Sequence, residues 1–472
     1  MKNKVASILL FIFFVSFISV HNTNAQQYDY SRFRFPDVKV KGLNGTANLY
    51  GNLFNYNNEQ MDLKTNQFNY SINGNYFLFT NNIDQQKTER IYFYHSLDFN
   101  KNFPNLIINN QNRTIKSRNV QLSISKQQVN RKYSNTDGAL FGIQNRFFEF
   151  DHNIELDYNN RYTKNELDEN KQNSIGVFAT LPVKIGYGRI EPMNDLFLAQ
   201  FLMDDLLQAG LITTDFAEDQ LFELAQLMSS VRNQRVFDYR RANIYQLTEI
   251  SGWMEKNNIP QNIQSFTVLS DNWQYAFNNT RNHGKRTSMG LIPWVDYLQI
   301  NYLNSGDYRE TMYGVGLQTE YIDSKAVSQY VQRDLFFGLA QHIQRDKNID
   351  YNYITNLQAA LRYGYHPNSR TTYGITPSID YYLFDFKDHA LDLKIDFSAS
   401  YFINNRARIN ANFGMGYNAT STDTFYNRRF PSYFSSTNTL PGSLIPISNN
   451  NGFSEGNRFQ LNGGINFNYA FF

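Results

Sequence analysis

From Leu391 to Ile403 every second residue is apolar: Leu391, Leu393, Ile395, Phe397, Ala399, Tyr401 and Ile403, with Asp392, Lys394, Asp396, Ser398 and Ser400 between them. Successive side chains of a strand point to opposite faces, so this run builds one apolar face and one polar face. It is longer than the usual strand of about 5 to 6 residues. After Asn404-Asn405 the pattern resumes with Ala407, Ile409, Ala411, Phe413, Met415 and Tyr417, which makes the two runs a hairpin. The same alternation marks Phe68 to Leu78, Ile91 to Phe99, Val120 to Ile124, Ile175 to Tyr187, Tyr313 to Tyr321, Leu357 to Tyr365, Tyr373 to Leu383 and Phe459 to Phe471. A tilted strand crosses a bilayer core in about 9 to 11 residues, and most of these runs can span it.

Composition separates this reading from its rivals. Aromatic residues make up 16% of the 472 and charged residues only 18%, too apolar a balance for a disordered chain. Mean hydropathy is −0.53, and only the extreme N-terminus holds an apolar run near the length of a spanning helix, which excludes a helical-bundle membrane protein. A soluble β-sandwich also alternates, but its outer rows are rich in Lys and Glu, whereas the polar rows here hold Asn, Gly, Ser and isolated charges suited to a wet lumen. Tyr363, Tyr365, Tyr373 and Tyr381 sit near run ends, where interfacial girdles belong. The expected fold is all-β: a transmembrane antiparallel β-barrel of about 14–16 strands with a small α-helical inserted domain.

Two lysines, an apolar stretch from Val5 to Val20 and the short polar run Asn22-Thr23-Asn24-Ala25 read as a signal peptide over residues 1–25. Its removal leaves a formal net charge of 0, which makes no electrostatic case for nucleic acid as a partner. Cysteine is absent, so disulfides, thiolate metal sites and a lipidated cysteine anchor are excluded.

The alternation stops between Pro192 and Lys256. Leu198, Phe201, Leu202 and Leu206 recur at helical spacing and Gly210 ends the pattern; Asp215 with Glu218 reads as the start of a second helix through Leu221, Leu224, Ala225 and Met228; a third runs through Ile244, Leu247, Ile250, Trp253 and Met254. The chain therefore divides into residues 26–191, the first half of the barrel, 192–257, a helical insert, and 258–472, the second half. The insert holds ten acidic and five basic residues. Arg235, Asp238 and Arg240 are the candidates for a docking face toward a periplasmic protein, although close opposite charges on helices commonly pair among themselves.

The ending Asn24-Ala25-Gln26, the Asn- and Tyr-rich strands and the closing Gly463-Gly464-Ile465-Asn466-Phe467-Asn468-Tyr469-Ala470-Phe471-Phe472 resemble outer-membrane β-barrel proteins of Bacteroidota type. The resemblance implies an outer-membrane location and a last strand offered to the barrel-insertion machinery, with membrane lipid around the barrel. Phe472 falls on the opposite parity to Phe471, out of the commonest phase of that closing signal.

Motifs for catalysis are missing: no phosphate-cradling loop, no HExxH, no GxSxG, and seven histidines with no i, i+4 pair. His95 and Ser96 invite comparison with barrel-borne lipid hydrolases, but neighbours on a strand face opposite ways and cannot pair as base and nucleophile. No cofactor is expected, and the expected function is non-enzymatic: a channel, or the membrane component of an export or surface-assembly system. The rivals are a barrel-embedded lipid hydrolase and a soluble secreted binding protein. Asp392, Lys394, Asp396, Arg406 and Arg408 are the candidate pore-lining residues. Eight strands can be counted after Thr287 and about seven before the insert, although a barrel whose insert and C-terminus share the periplasmic side needs an even number of strands before the insert. The same count sends Thr420 to Asn457 to the cell exterior.

Overall fold

The computed structural model describes residues 28–58, 61–104, 115–134, 145–164, 169–234, 239–275, 281–303, 306–345, 353–404, 407–421 and 456–469. The expected signal peptide, most of the long segment after Thr420, and Arg235, Asp238, Arg406, Ala470, Phe471 and Phe472 lie outside them.

One antiparallel sheet forms the body of the protein. Its first part is β1 (Val38–Asn58), β2 (Met61–Asn81), β3 (Gln85–Pro104), β4 (Ile115–Ser134), β5 (Arg146–Lys164), β6 (Glu169–Thr180) and β7 (Val183–Pro192). After the helices follow β8 (Asn282–Tyr302), β9 (Gly306–Ala326), β10 (Val331–Arg345), β11 (Tyr353–Asn368), β12 (Thr371–Phe384), β13 (Asp388–Asn404), β14 (Ala407–Thr420) and β15 (Gly456–Tyr469). Each strand pairs with the next along the path, and this curls into a transmembrane barrel. Among the described residues no ladder joins β1 to β15, and both strands are exposed along most of their length.

β6 and β7 are two halves of one crossing. β6 pairs with the outer part of β5 from Asn153 to Lys164, β7 continues in the same direction along Arg146 to Phe150, and both lie against β8. The break falls at Leu181-Pro182, because proline has no N–H to give a ladder. The carbonyl of Pro182 still accepts from Asp151 N at 2.9 Å, which keeps the two halves collinear. The barrel thus has 14 crossings, six before the helices and eight after, and the expected seven upstream strands are corrected to six. The eight downstream strands fall where the alternation places them.

Outward residues are apolar and exposed: Leu43 is 79% exposed, and Ile72, Phe150, Leu291, Leu317, Phe337 and Phe413 continue the band around the strands. A band of this extent would be an aggregation hazard in water and is the surface that lipid requires. Tyr365 and Tyr373 stack across β11 and β12 with ring centroids 6.3 Å apart at the helical end of this band.

The helices are α1 (Asn194–Gln208), α2 (Glu218–Asn233), α3 (Tyr239–Lys256) and α4 (Ile263–Gln274). They sit in the β7–β8 connection, where Met193 N donates to Arg281 O at 2.8 Å and Arg281 N to Asn194 Oδ1 at 2.6 Å, so the chain enters and leaves at one root. The segment exceeds the expected 192–257 by one helix. Residues 258–274, expected as part of the second half of the barrel, hold this helix, and Asn262 caps α4 by accepting from Ser265 N at 2.9 Å. The anticipated N-terminal box of Asp215 and Glu218 is also corrected: α2 starts after Ala217, whose N–H donates to Gln220 Oε1 at 3.0 Å. The apolar faces of the helices close on a core that includes Leu202, Leu224, Met228, Ile250 and Trp273.

Candidate functional site: a capped lumen

Both chain ends of the barrel, the helical root and the short turns after β2, β9, β11 and β13 lie at one end of the strands, and the β14–β15 connection lies at the other. The helical domain is fixed to that first end at several points of the rim. Arg370, in the β11–β12 turn, forms a two-pronged ion pair with Asp271 of α4. The Arg370 guanidinium also lies 4.8 Å from the ring centroid of Tyr275, which meets Phe402 of β13 edge-on at 5.7 Å. At the β9–β10 turn Gln329 donates to Asp204 of α1, and Phe201 packs on Tyr330 at 6.2 Å. Buried Arg281 donates to three carbonyls of the same turn, of Ser328 at 2.6 Å, of Val331 at 3.4 Å and of Gln329, while its guanidinium sits over Phe197.

A strap from Tyr28 to Phe35 runs under the helices before entering β1. Tyr28 Oη donates to Phe216 O at 2.9 Å, Tyr30 Oη to Gln200 Oε1 at 3.1 Å, and Phe33 meets Phe222 edge-on at 5.6 Å. Glu218, the first residue of α2, also accepts from Asp29 N at 2.9 Å and pairs with Arg32. Burial, followed by the nearby carboxylate of Asp215, pushes the Tyr28 hydroxyl up to about 12 and keeps it a hydrogen-bond donor at neutral pH. Counting β6 and β7 as one crossing, β1 is first and β9 is eighth of the 14, on opposite sides of the ring. Because the domain holds the strap of β1 and the turns of β9 to β12, it bridges the opening.

Beneath the bridge part of the lumen is filled by an apolar layer. Phe35, at the end of the strap, packs with Phe79 of β2, Ile190 of β7, Ile322 of β9, Phe336 and Ala340 of β10 and Ala360 of β11. Contact among residues drawn from such separated strands means that this layer extends across the bore. Gln86 Nε2 adds a bond to Ile190 O at 3.0 Å, and Arg189 Nη2 reaches Asn82 O at 2.8 Å in the β2–β3 turn.

A charged row follows along the wall from β4 to β9. Arg131 pairs with Glu149; Lys184 Nζ lies 3.2 Å from Glu149, 3.5 Å from Glu320 and 3.9 Å from Asp151; Ser288 Oγ donates to Glu320 at 3.3 Å. Arg286 is buried beside Glu149 and Glu320. Three cations and three carboxylates in this group balance, as burial in low dielectric demands. Register explains the row: Arg131 faces Glu149, Glu149 faces Lys184, and Lys184 faces Gly290. A Cβ at Gly290 would lie 2.1 Å from Val183 O and 2.8 Å from Lys184 Cγ, so glycine is what lets the lysine pass over β8 to Glu320. No local motif announces this network, because its members are dispersed over five strands; the shared signal of its charged members is a charge at a lumen-parity position.

Of the candidate pore residues, Asp392, Lys394, Asp396 and Arg408 all stand on the inner face of β13 and β14, as their register with Asp380, Ser378, Thr376 and Asn468 requires. They do not form one patch. Lys394 pairs with Asp392 at 2.7 Å, and Arg408 Nε donates to Ser400 Oγ at 2.9 Å near the helical end. Arg240 is in the first turn of α3, while Arg235 and Asp238 lie outside the described residues. The arginine that is visibly paired in the insert is Arg232, 2.5 Å from Asp195. His95 and Ser96 belong to opposite faces of β3: Ser96 is buried, and His95 lies against Tyr70 with centroids 5.4 Å apart. Among the described residues no cluster of His, Asp and Glu is arranged to hold a metal ion.

No family model matches the sequence, and no curated protein is similar to it. Among solved structures, the translocator domain of the autotransporter NalP from Neisseria meningitidis is similar over 80% of this chain and 91% of its own, at 9% identity and a TM-score of 0.28. The transport unit of the autotransporter AIDA-I from Escherichia coli covers 96% and is itself 94% covered, at 11% identity and a TM-score of 0.21. A loop-deletion form of OmpT, an outer membrane protein of Vibrio cholerae, covers 80% and is 95% covered, at 8% identity and a TM-score of 0.22. At such values no role is carried over from any of them.

Proposed function

We propose that this chain is a non-enzymatic outer-membrane β-barrel, in the membrane of a Gram-negative bacterium of Bacteroidota type, that serves as a conduit closed from within by its own helical domain. The observation that carries the reading is the bridge from the β1 strap to the β9–β12 turns, with Phe35 set into the bore beneath it. A diffusion pore needs no such domain. A conduit of an export or surface-assembly system does need a closure that yields only to its partner, and the helices share an end with the start of β1 and the end of β15, the periplasmic side in this reading. The signal peptide supports export, and the aromatic last strand supports delivery by the barrel-insertion machinery. A periplasmic protein that displaces the helices would open the lumen, at the cost of the Asp271–Arg370, Asp204–Gln329 and Glu218–Arg32 contacts.

The test is conductance of the purified full chain in planar bilayers. The wild type is expected to be mostly closed, and Arg370→Ala combined with Phe35→Ala to give long open events. Equal conductance in both, whether high or absent, would refute closure by the domain.

A further inference from the structure

The barrel wall from β11 to β15 lines a half-open cavity of about 510 Å³ on the lumen side, close to the helical end. Its volume lies within the range of small-molecule sites, roughly 300–1,000 Å³. We propose that this cavity binds a small polar solute through an oxyanion group, phosphate, sulfate or carboxylate, held by Arg362, His366 and Arg408.

The lining is one-sided in its chemistry. Two guanidiniums and an imidazole are joined by hydroxyls of Thr372, Ser398 and Ser400 and by the amides of Asn410, Asn412, Asn466 and Asn468, and no carboxylate lines the space. The nearest acids stand off it. Asp396 is the next inward position beyond Ser398 on β13, and Asp334 stands opposite Arg362 on β10. Guanidiniums and neutral donors around a space that no carboxylate lines form an arrangement that oxyanions select, with Arg408 farther than Arg362 from an acid.

His366 brings an unmatched ring nitrogen to the wall of this cavity. The residue is 1% exposed, its Nδ1 is 3.3 Å from Thr372 Oγ1, and its Nε2 has no hydrogen-bond partner within the protein. Leaving such a nitrogen unmatched is costly unless a ligand or water completes it. Its backbone is anchored, His366 N donating to Tyr330 O at 2.7 Å, so the ring is held in place. Gly364 occupies the inward position between Arg362 and His366, and a Cβ there would lie 2.8 Å from His366 Nε2. The glycine lets the imidazole lie close against the β11 backbone.

Arg408 is held from behind. Its Nε is taken by Ser400 and its guanidinium lies 4.8 Å from the Phe402 centroid, on the same ring that Tyr275 of the helical domain touches. The asparagines on β14 and β15 face one another across the ladder, Asn410 with Asn466, and present amides that suit the hydroxyls of a polyol attached to the anion.

The test is equilibrium dialysis of the detergent-purified full chain against radiolabelled inorganic phosphate and against glucose 6-phosphate, with glucose as the neutral control. It reads binding and not conductance, so it stands whether or not the barrel is a conduit. Expected is one saturable site for both anionic probes and none for glucose. Arg408→Gln and His366→Asn should each weaken binding about tenfold, as loss of one charged or buried hydrogen bond predicts. Asn466→Asp keeps side-chain volume and β circular dichroism while adding a repelling carboxylate, and should abolish binding even if the other variants fold poorly. Absence of phosphate binding in the wild type, equal binding by glucose, or unchanged binding in the folded Asn466→Asp variant would overturn the assignment.

Discussion

Replacing Glu149 by Ala tests whether the lumenal charges hold the barrel together. Glu149 is fully buried between Arg131 and Lys184, and the Lys184 contact is 3.2 Å. At that separation two unit charges attract by about 5 kcal/mol for an effective dielectric of about 20. Without Glu149 the three cations of the row are left with Asp151 and Glu320, at 3.9 and 3.5 Å from Lys184. Removing one partner of a buried pair typically costs about 3–5 kcal/mol, because the remaining charge is neither hydrated nor matched. The reference is Glu169→Ala, which breaks the Lys164–Glu169 pair whose side chains are 51% and 41% exposed. Exposed pairs contribute about 0–1 kcal/mol. Urea unfolding in lipid vesicles, followed by Trp294 after Trp253 and Trp273 are changed to Phe, reads the barrel alone. With a slope of about 1–3 kcal/mol per molar urea, Glu149→Ala should lower the midpoint by at least about 1 M while Glu169→Ala barely moves it. Replacing Arg131 and Glu149 together by Met should regain much of the loss. A midpoint for Glu149→Ala equal to that of Glu169→Ala would show that the row is hydrated in the folded protein, and the reasoning would fail.

Other outcomes follow from the same structure. Gly290→Ala should destabilise the barrel by about 1–3 kcal/mol, since the new methyl meets Val183 O and Lys184 Cγ, and urea midpoints check it. Burial raises Asp204 above its usual 3.8, so the docked domain binds this proton more tightly than the unfolded chain; its contribution to stability is therefore lost as pH rises from 3.8 through the raised value. Asp204→Asn, whose carbonyl still accepts from Gln329, should flatten that dependence in thermal unfolding of the helices, and an unchanged pH profile would count against it. If the lumen conducts, Lys394→Glu with Arg408→Glu should shift selectivity toward cations, read as a reversal potential across a salt gradient. Biotinylation of intact cells should label a tag at Ser436, outside the described residues, and spare one at Asp215; the reverse would invert the orientation.

The alternation of apolar and polar residues was enough to specify a barrel, because a side-chain period of two leaves one face for lipid and one for a polar interior whatever the strands pair with. It placed Asp392, Lys394, Asp396 and Arg408 on the inner wall, counted the eight strands after the helices, and put the insert at the end where the last strand finishes. The loss of that period near Pro192 marked where helices begin. Period could not show that Pro182 splits one crossing into β6 and β7, since a proline at a strand edge and one inside a bulge look alike along the chain. Nor could it show that Glu218, where α2 starts, also clasps the strap. What only the tertiary structure decided is which inward residues meet. Arg131, Glu149, Lys184 and Glu320 are separated by as many as 189 positions and become one charged row through strand register, and Arg362, His366 and Arg408 surround one cavity for the same reason. A face is a property of the local backbone, whereas a neighbour across the bore is set by ring closure and by the helices that span it.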